Sequence, residues 1–253
     1  TDLWVPVTKR VEPMKAKQVS AGVFYKLPAN IELSVEGYYK KMDNLIEYKE
    51  GESLFSENGS IAEGWEEKIE IGQGWSYGME ILFEKSVGKT TGWIGYTLAW
   101  ANRQFDNISF GNAFPAKYDR RHDLSITVSH KFSKKFDIGA NWIFGTGTTA
   151  TLGTQLFNAP TNLGGINYGQ QYTYYENRNN FRMPNSHRLD LSVNFHKKLK
   201  WAERTWNISI FNVYNHKNAF IIFTDYDSGT KQNQLKQLSI LPILPSVSYS
   251  LKF

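Results

Sequence analysis

The sequence predicts an all-β fold, an antiparallel transmembrane β-barrel, on three observations. Apolar and polar residues alternate with period two in one segment after another, which is the side-chain period of a strand. The connections between these segments are short and long by turns, as in a barrel with tight turns on one side of a bilayer and long loops on the other. Aromatic residues make up 15% of the 253 residues, with 14 Tyr, 16 Phe and 8 Trp, enough to line both membrane interfaces. No stretch approaches the ~18 consecutive apolar residues of a membrane helix, so any crossing falls to strands.

The closing segment is the cleanest. Val247, Tyr249, Leu251 and Phe253 alternate with Ser246, Ser248, Ser250 and Lys252. A terminal aromatic gains little in a soluble sheet and more at a membrane interface.

The others follow in chain order. Val19, Ala21, Val23, Tyr25 and Leu27 form the first face, and Pro28-Ala29-Asn30 turns the chain. Ile31, Leu33, Val35 and Tyr39 carry the second. A long polar connection from about residue 50 to 68 follows, holding Glu50, Glu52, Glu57, Glu63, Glu66 and Glu67. Trp75, Tyr77, Met79, Ile81 and Phe83 make the third segment, and Gly88-Lys89-Thr90 a short turn. Ile94, Tyr96, Leu98 and Trp100 make the fourth, and a connection from about 104 to 119 comes next. Leu124, Ile126, Val128 and Phe132 oppose Arg121, Asp123, Ser125 and Thr127 in the fifth. Ser133-Lys134-Lys135 leads to Phe136, Ile138, Ala140, Trp142 and Phe144 in the sixth. Phe136 and Phe144 stand about 20 Å apart along a tilted strand, an apolar band with an aromatic at each end.

The longest connection runs from about 150 to 185. Leu189, Leu191, Val193 and Phe195 form the seventh segment, followed by a basic turn with Trp201. Trp206, Ile208 and Ile210 begin the eighth, whose alternation slips at Phe211-Asn212-Val213-Tyr214, as at a bulge. Pro242 and Pro245 predict a bulge or kink before the last strand.

The net charge is +5. The basic residues sit in short turns rather than along one face, which argues against a nucleic-acid partner. With zero cysteines there are no disulfides or thiolate metal sites. The start, Thr1-Asp2-Leu3-Trp4, is neither an initiator methionine nor a signal peptide, so the chain is expected to be a piece of a longer or processed protein.

About nine strands result, with Phe253 on the short-turn side. Single-chain bacterial barrels have an even count, and free edges in lipid leave backbone groups unpaired at several kcal/mol each. The first and last strands are therefore expected to pair with strands outside this chain.

Three runs carry a family resemblance: Lys117-Tyr118-Asp119-Arg120-Arg121-His122-Asp123-Leu124-Ser125-Ile126; Asn177 to Pro184 with His187-Arg188-Leu189-Asp190-Leu191-Ser192; and Pro245 to Phe253. They resemble the carboxy-terminal half of TonB-dependent outer-membrane receptors, across nearly the whole chain. The resemblance implies that residues 1–253 are the carboxy-terminal part of a barrel of about 22 strands in the cell outer membrane. It implies membrane lipid, a plug domain, the remaining strands and, through the missing part, the TonB complex as partners, and energised uptake of a bulky nutrient as the function. It also gives Tyr249, Leu251 and Phe253 the role of signal to the barrel-assembly machinery. Neither plug nor TonB box is present in these residues.

Arg121, Asp123, Arg188 and Asp190 are read as a lumenal charge network that pairs internally or with a plug or ligand. Tyr172, Tyr174 and Tyr175 offer rigid contact area for a sugar or peptide, or for loop packing. A catalytic reading of Arg120-Arg121-His122-Asp123 meets parity, which sends His122 and Asp123 to opposite faces. No G-x-S-x-G or H-E-x-x-H occurs, and Gly145-Thr146-Gly147 has no lysine at phosphate-loop spacing. The glutamate-rich connection lacks the spacing of a calcium loop and reads as solvated surface. No catalytic residue, cofactor or metal is expected. The alternatives are a stand-alone porin-like or adhesin-like barrel, an outer-membrane hydrolase, which needs a Ser–His pair in hydrogen-bond reach, and a soluble sandwich.

Overall fold

The computed structural model describes residues 6–49, 64–153, 155–158, 171–227, 229–230 and 232–253; of residues 156–158, 171, 172 and 226 it describes the backbone. Its strands are β1 (Lys15–Leu27), β2 (Ile31–Tyr48), β3 (Ile69–Lys85), β4 (Thr90–Gln104), β5 (Phe114–Pro115), β6 (His122–Ser133), β7 (Phe136–Gly145), β8 (Thr149–Ala150), β9 (Gln155–Asn158), β10 (Gln171–Tyr174), β11 (Phe181–Arg182), β12 (Ser186–Lys198), β13 (Glu203–Phe211), β14 (Ile221–Asp227), β15 (Gln232–Leu238) and β16 (Leu244–Lys252).

Nine strands form one antiparallel sheet in the order β1-β2-β3-β4-β6-β7-β12-β13-β16, with the short β5 beside β4. Directly paired residues share a face, so register carries the alternation from strand to strand. Tyr25, Leu33, Phe83, Ile94, Ile126, Trp142 and Leu189 pair in one continuous row. His130, Ile138, Val193, Ile208 and Val247 form another on the same face. The opposite face carries Lys26, Glu32, Glu84, Trp93, Thr127, Asn141 and Asp190 in one row. The register shifts between Met42 and Leu45 and between Lys131 and Ser133 lie toward strand ends and leave these rows intact. The sheet stays open, with β1 and β16 at its edges.

Turns at residues 28–30, 86–89, 134–135 and 199–202 lie at one end of the sheet, and all the long connections at the other. Three strands run well past the segments marked by alternation: β2 has 18 residues, β3 has 17 and β4 has 15. A tilted membrane strand needs about 9–11. These strands exceed that length, and the excess lies at the loop end. Alternation fades there because β2 shifts register between Met42 and Leu45, where Asn44 takes a φ of 60°.

The slip after Ile210 coincides with the end of β13. Asn212 turns to a φ of 55°, and Val213 N–H bonds Leu189 O at 2.8 Å beyond it. The kink expected near Pro245 is absent. Pairing runs unbroken from Phe211↔Leu244 to Glu203↔Lys252, and Pro245 lies on the outermost strand, where a missing N–H is tolerated. The long connections also hold structure that alternation missed: hairpins β9–β10 and β14–β15, and the pair β8–β11.

Among the described residues, the apolar face has no buried core beneath it. Phe83 is 39% exposed, and Ile126 and Trp142 are partly exposed. The buried apolar cluster lies at the loop end: Leu45, Phe105, Ile108 and Phe114, with Met42 against them. Gly72 makes room for it, since a β-carbon there would overlap the Phe105 ring.

Candidate functional site

The polar face and loop end carry most of the ion pairs, and the four residues expected to form one network divide between separate centres. Arg188 Nε donates to Asp190 at 2.9 Å, and its guanidinium lies 4.0 Å over the Phe211 ring. The other Asp190 oxygen accepts the Asn212 N–H at 2.9 Å. Asn212 is fully buried; its side chain ties to both N–H and O of His216 and to Leu241 O, so the carboxylate fixes the strand-to-loop corner.

Asp123 pairs with Arg120 at 2.8 Å, not with Arg121. Arg121 instead donates to Ala99 O at 2.8 Å and to Asp119 at 3.3 Å, with its head 4.4 Å over Trp100. Trp100 belongs to the apolar face, so the Arg121 head turns away from Asp123.

The strongest centre is Asp119, which the sequence reading passed over. Its carboxylate is 1% exposed and accepts from Ala101 N–H at 2.8 Å, from Arg121 and from Arg182. Arg182 also donates to Asp119 O and Gly147 O. A second centre is Glu47, paired with Arg103 at 3.0 Å and Arg178 at 3.2 Å. Arg178 further donates to Tyr48 O, and its N–H to Ser109 Oγ. The segment 178–182 is thus pinned to the ends of β2 and β4. Asp119 and Arg182 lie inside the runs that carried the resemblance, but no spacing rule links residues 63 apart.

Tyr172 and Tyr174 lie two apart on β10, opposite Phe157 and Gln155, hence on one face of a loop hairpin; the Tyr172 side chain lies outside the described residues. Tyr175 is exposed just beyond. Residues Glu50, Glu52, Glu57 and Glu63 also lie outside the described residues, while Glu66 and Glu67 end a single 3-10 turn. In the β14–β15 hairpin, the backbone N–H groups of Gly229 and Thr230 hold the Asp227 carboxyl below its usual range.

His122 bonds the Tyr96 hydroxyl at 2.8 Å on the apolar side, while Asp123 sits opposite Thr97 on the polar one. His130 meets Thr90, His187 meets Tyr214, and His196 bridges Thr205 and Asp137. No His–Ser hydrogen bond occurs among the described residues.

Aromatics gather on the apolar face at both ends. At the short-turn end Phe136, Phe195, Trp206 and Tyr249 pair in one row, with Trp206 and Tyr249 centroids 4.8 Å apart. Phe253 is 87% exposed and stacks on Trp201 at 5.4 Å, and Leu251 sits beside Arg204. At the loop end Tyr77 stacks on Trp100 at 5.2 Å.

The family model described as TonB dependent receptor-like, beta-barrel matches residues 4–215. The chain belongs to the TonB-dependent receptor β-barrel family. No curated protein sequence matches it. Among solved structures it is similar to the closed form of the ferric-catecholate import receptor Fiu of E. coli K12, at TM-score 0.57 and 11% identity over 97% of this chain and 28% of that one. It is also similar to the ferripyoverdine receptor of the outer membrane of Pseudomonas aeruginosa bound to ferripyoverdine, at TM-score 0.55 and 12% identity over 96% and 27%. A third is the unliganded ferric citrate transporter FecA, at TM-score 0.56 and 15% identity over 96% and 32%. At these identities the likeness speaks for the fold. This TonB-dependent receptor chain spans about a third or less of the structures it resembles.

Proposed function

We propose that this chain is the carboxy-terminal part of the barrel wall of an outer-membrane TonB-dependent receptor that imports a bulky ligand. The observation that carries the reading is the pair of faces that run through nine strands with open edges: one mainly apolar, the other polar and charged. Such a sheet fits one segment of a larger closed wall with lipid outside and a wet lumen within. The edge strands β1 and β16 pair with strands outside this chain. Tyr249, Leu251 and Phe253 present the terminal strand to the barrel-assembly machinery.

A plug as partner is supported by charge on the lumenal face. Glu32 sits directly opposite Glu84, and Glu36 directly opposite Glu80. Like charges so placed repel. Lys26 meets Glu32 at 3.5 Å, but Glu36, Glu80 and Glu84 have no ion-pair partner among the described residues. Basic side chains of a plug would offset them. The loop tyrosines Tyr172, Tyr174 and Tyr175 are the proposed ligand contacts at the mouth. Ferric chelates, named for all three structural neighbours, are the first ligand class to try.

The test is uptake of a panel of labelled ferric chelates, cobalamin, glycans and peptides by cells with and without the whole receptor. Uptake of one ligand that stops when the proton gradient is collapsed supports the reading. Passive, gradient-independent flux of small solutes would replace it with a porin, and ester or peptide hydrolysis with an enzyme.

A further inference from the structure

At the short-turn end of the apolar face, the aromatic row gives way to two cations. Lys197 is paired directly with Arg204, and Arg204 in turn with Leu251. They stand one pleat beyond Phe195, Trp206 and Tyr249 on the same face. Two like charges directly opposed across strands repel. The nearby carboxylates are engaged or turned away: Asp137 bonds Asn194 and His196, and Glu203 is paired with Lys198 and Lys252 on the other face. Neither Lys197 nor Arg204 has a carboxylate partner among the described residues. Arg204 Nε is also the one buried side-chain polar atom among them that lacks a hydrogen-bond partner. The adjoining turn adds Lys134 and Lys135, held alongside by the bond from His196 N–H to Lys135 O at 2.8 Å.

We propose that Lys197 and Arg204 bind the phosphate of an anionic phospholipid headgroup, making a lipid site on the outer wall at the short-turn rim. The phosphate charge offsets the opposed cations. Its oxygens accept from the Arg204 guanidinium and from the Lys197 ammonium, a geometry the guanidinium fork suits. The acyl chains then lie along Phe195, Trp206 and Tyr249, as lipid does at an aromatic belt. The site rests on the reading that this face meets lipid.

The test is native mass spectrometry of the whole receptor in neutral detergent, with phosphatidylglycerol, phosphatidylcholine or inorganic phosphate added. Wild type should retain phosphatidylglycerol over phosphatidylcholine and take up no free phosphate. Lys197→Gln should weaken phosphatidylglycerol binding about fivefold, and the double variant K197Q/R204Q more than about tenfold, with phosphatidylcholine unchanged. Lys197→Arg should keep it. Lys197 is exposed, so its single variant carries the test if the double variant fails to assemble. Equal phosphatidylglycerol binding by wild type and Lys197→Gln overturns the site, as does free phosphate bound as tightly as the lipid. Failure of wild type to retain either lipid would sink the lipid-facing reading, and the site with it.

Discussion

At the short-turn end, Phe136, Phe195, Trp206 and Tyr249 stand in a row on the apolar face with no core over them among the described residues; at the loop end, Phe105, Ile108 and Phe114 are buried together with Leu45. The same residue types obey opposite rules within one chain. On the proposed reading the apolar side of the strands is the outside, because a lipid tail is as good a neighbour there as another leucine. At the loop end, β2, β3 and β4 bury apolar groups beneath the connections that follow them, with Ile108 fully enclosed. Charge follows the same division. Within the sheet, polar groups line one open face; at the loop end, Asp119 is buried and must be met by two arginines and a backbone N–H.

The comparison is open to several breaks. The largest is expected from Asp119→Ala. It leaves Arg121 and Arg182 without their buried carboxylate, costing about 3–5 kcal/mol at the loop end. Hydrogen exchange of the Ala101 amide in the whole receptor should quicken accordingly, while the strand centres stay protected. Phe105→Ala opens the loop-end core, with a cost of the same order, about 3–5 kcal/mol. Proteolytic nicking within residues 105–120 should rise, and uniform resistance would mean that the cluster does not hold the loops.

Next comes a paired substitution on β6. Ile126→Arg puts a charge on the lipid side and should cost about 2–4 kcal/mol on refolding into bilayers. Ser125→Arg, one residue away on the wet face, should cost far less. Equal penalties would erase the distinction between the faces.

Smaller still is Lys15→Gln, which removes an exposed pair with Glu12 at 3.4 Å. It should change stability by less than about 1 kcal/mol. The pH response of the β14–β15 turn follows from the lowered Asp227 pKa. A carboxyl whose folded pKa is depressed stabilises the turn above its unfolded pKa, and that contribution is lost as pH falls through the folded value. Exchange of the Gly229 amide should therefore accelerate only in acid, below the usual carboxylate range.

The same division explains what could be read from the sequence. Ile31 to Tyr39 and Leu124 to Phe132 were legible because a strand with one apolar and one polar face must alternate with period two. Met42 to Tyr48 was not, because the register shift at Asn44 breaks the pattern and both faces there meet protein or water. The terminal strand was visible to its last residue, yet its prolines suggested a kink that an edge strand does not need. At the candidate site, the Arg188–Asp190 pair was within reach of sequence reasoning, two residues apart on one face. Asp119 with Arg182, and Glu47 with Arg178, were not. Those partners meet only when long connections fold over one another, and no local periodicity records it.

The central claim is that the apolar face meets lipid and the polar face a hydrated lumen. The chain has no cysteine of its own, so single cysteines can be read cleanly in a cysteine-free receptor. Nitroxide labels at residues 124 to 128 and 140 to 144, in the whole receptor reconstituted in bilayers, should report by electron paramagnetic resonance. The account predicts strict alternation, with positions 124, 126, 128, 140, 142 and 144 open to oxygen and those between them open to a water-soluble nickel chelate. Protection of 126 and 142 from both reagents, with 125 and 141 in bulk water, would place these side chains in a soluble core and contradict it.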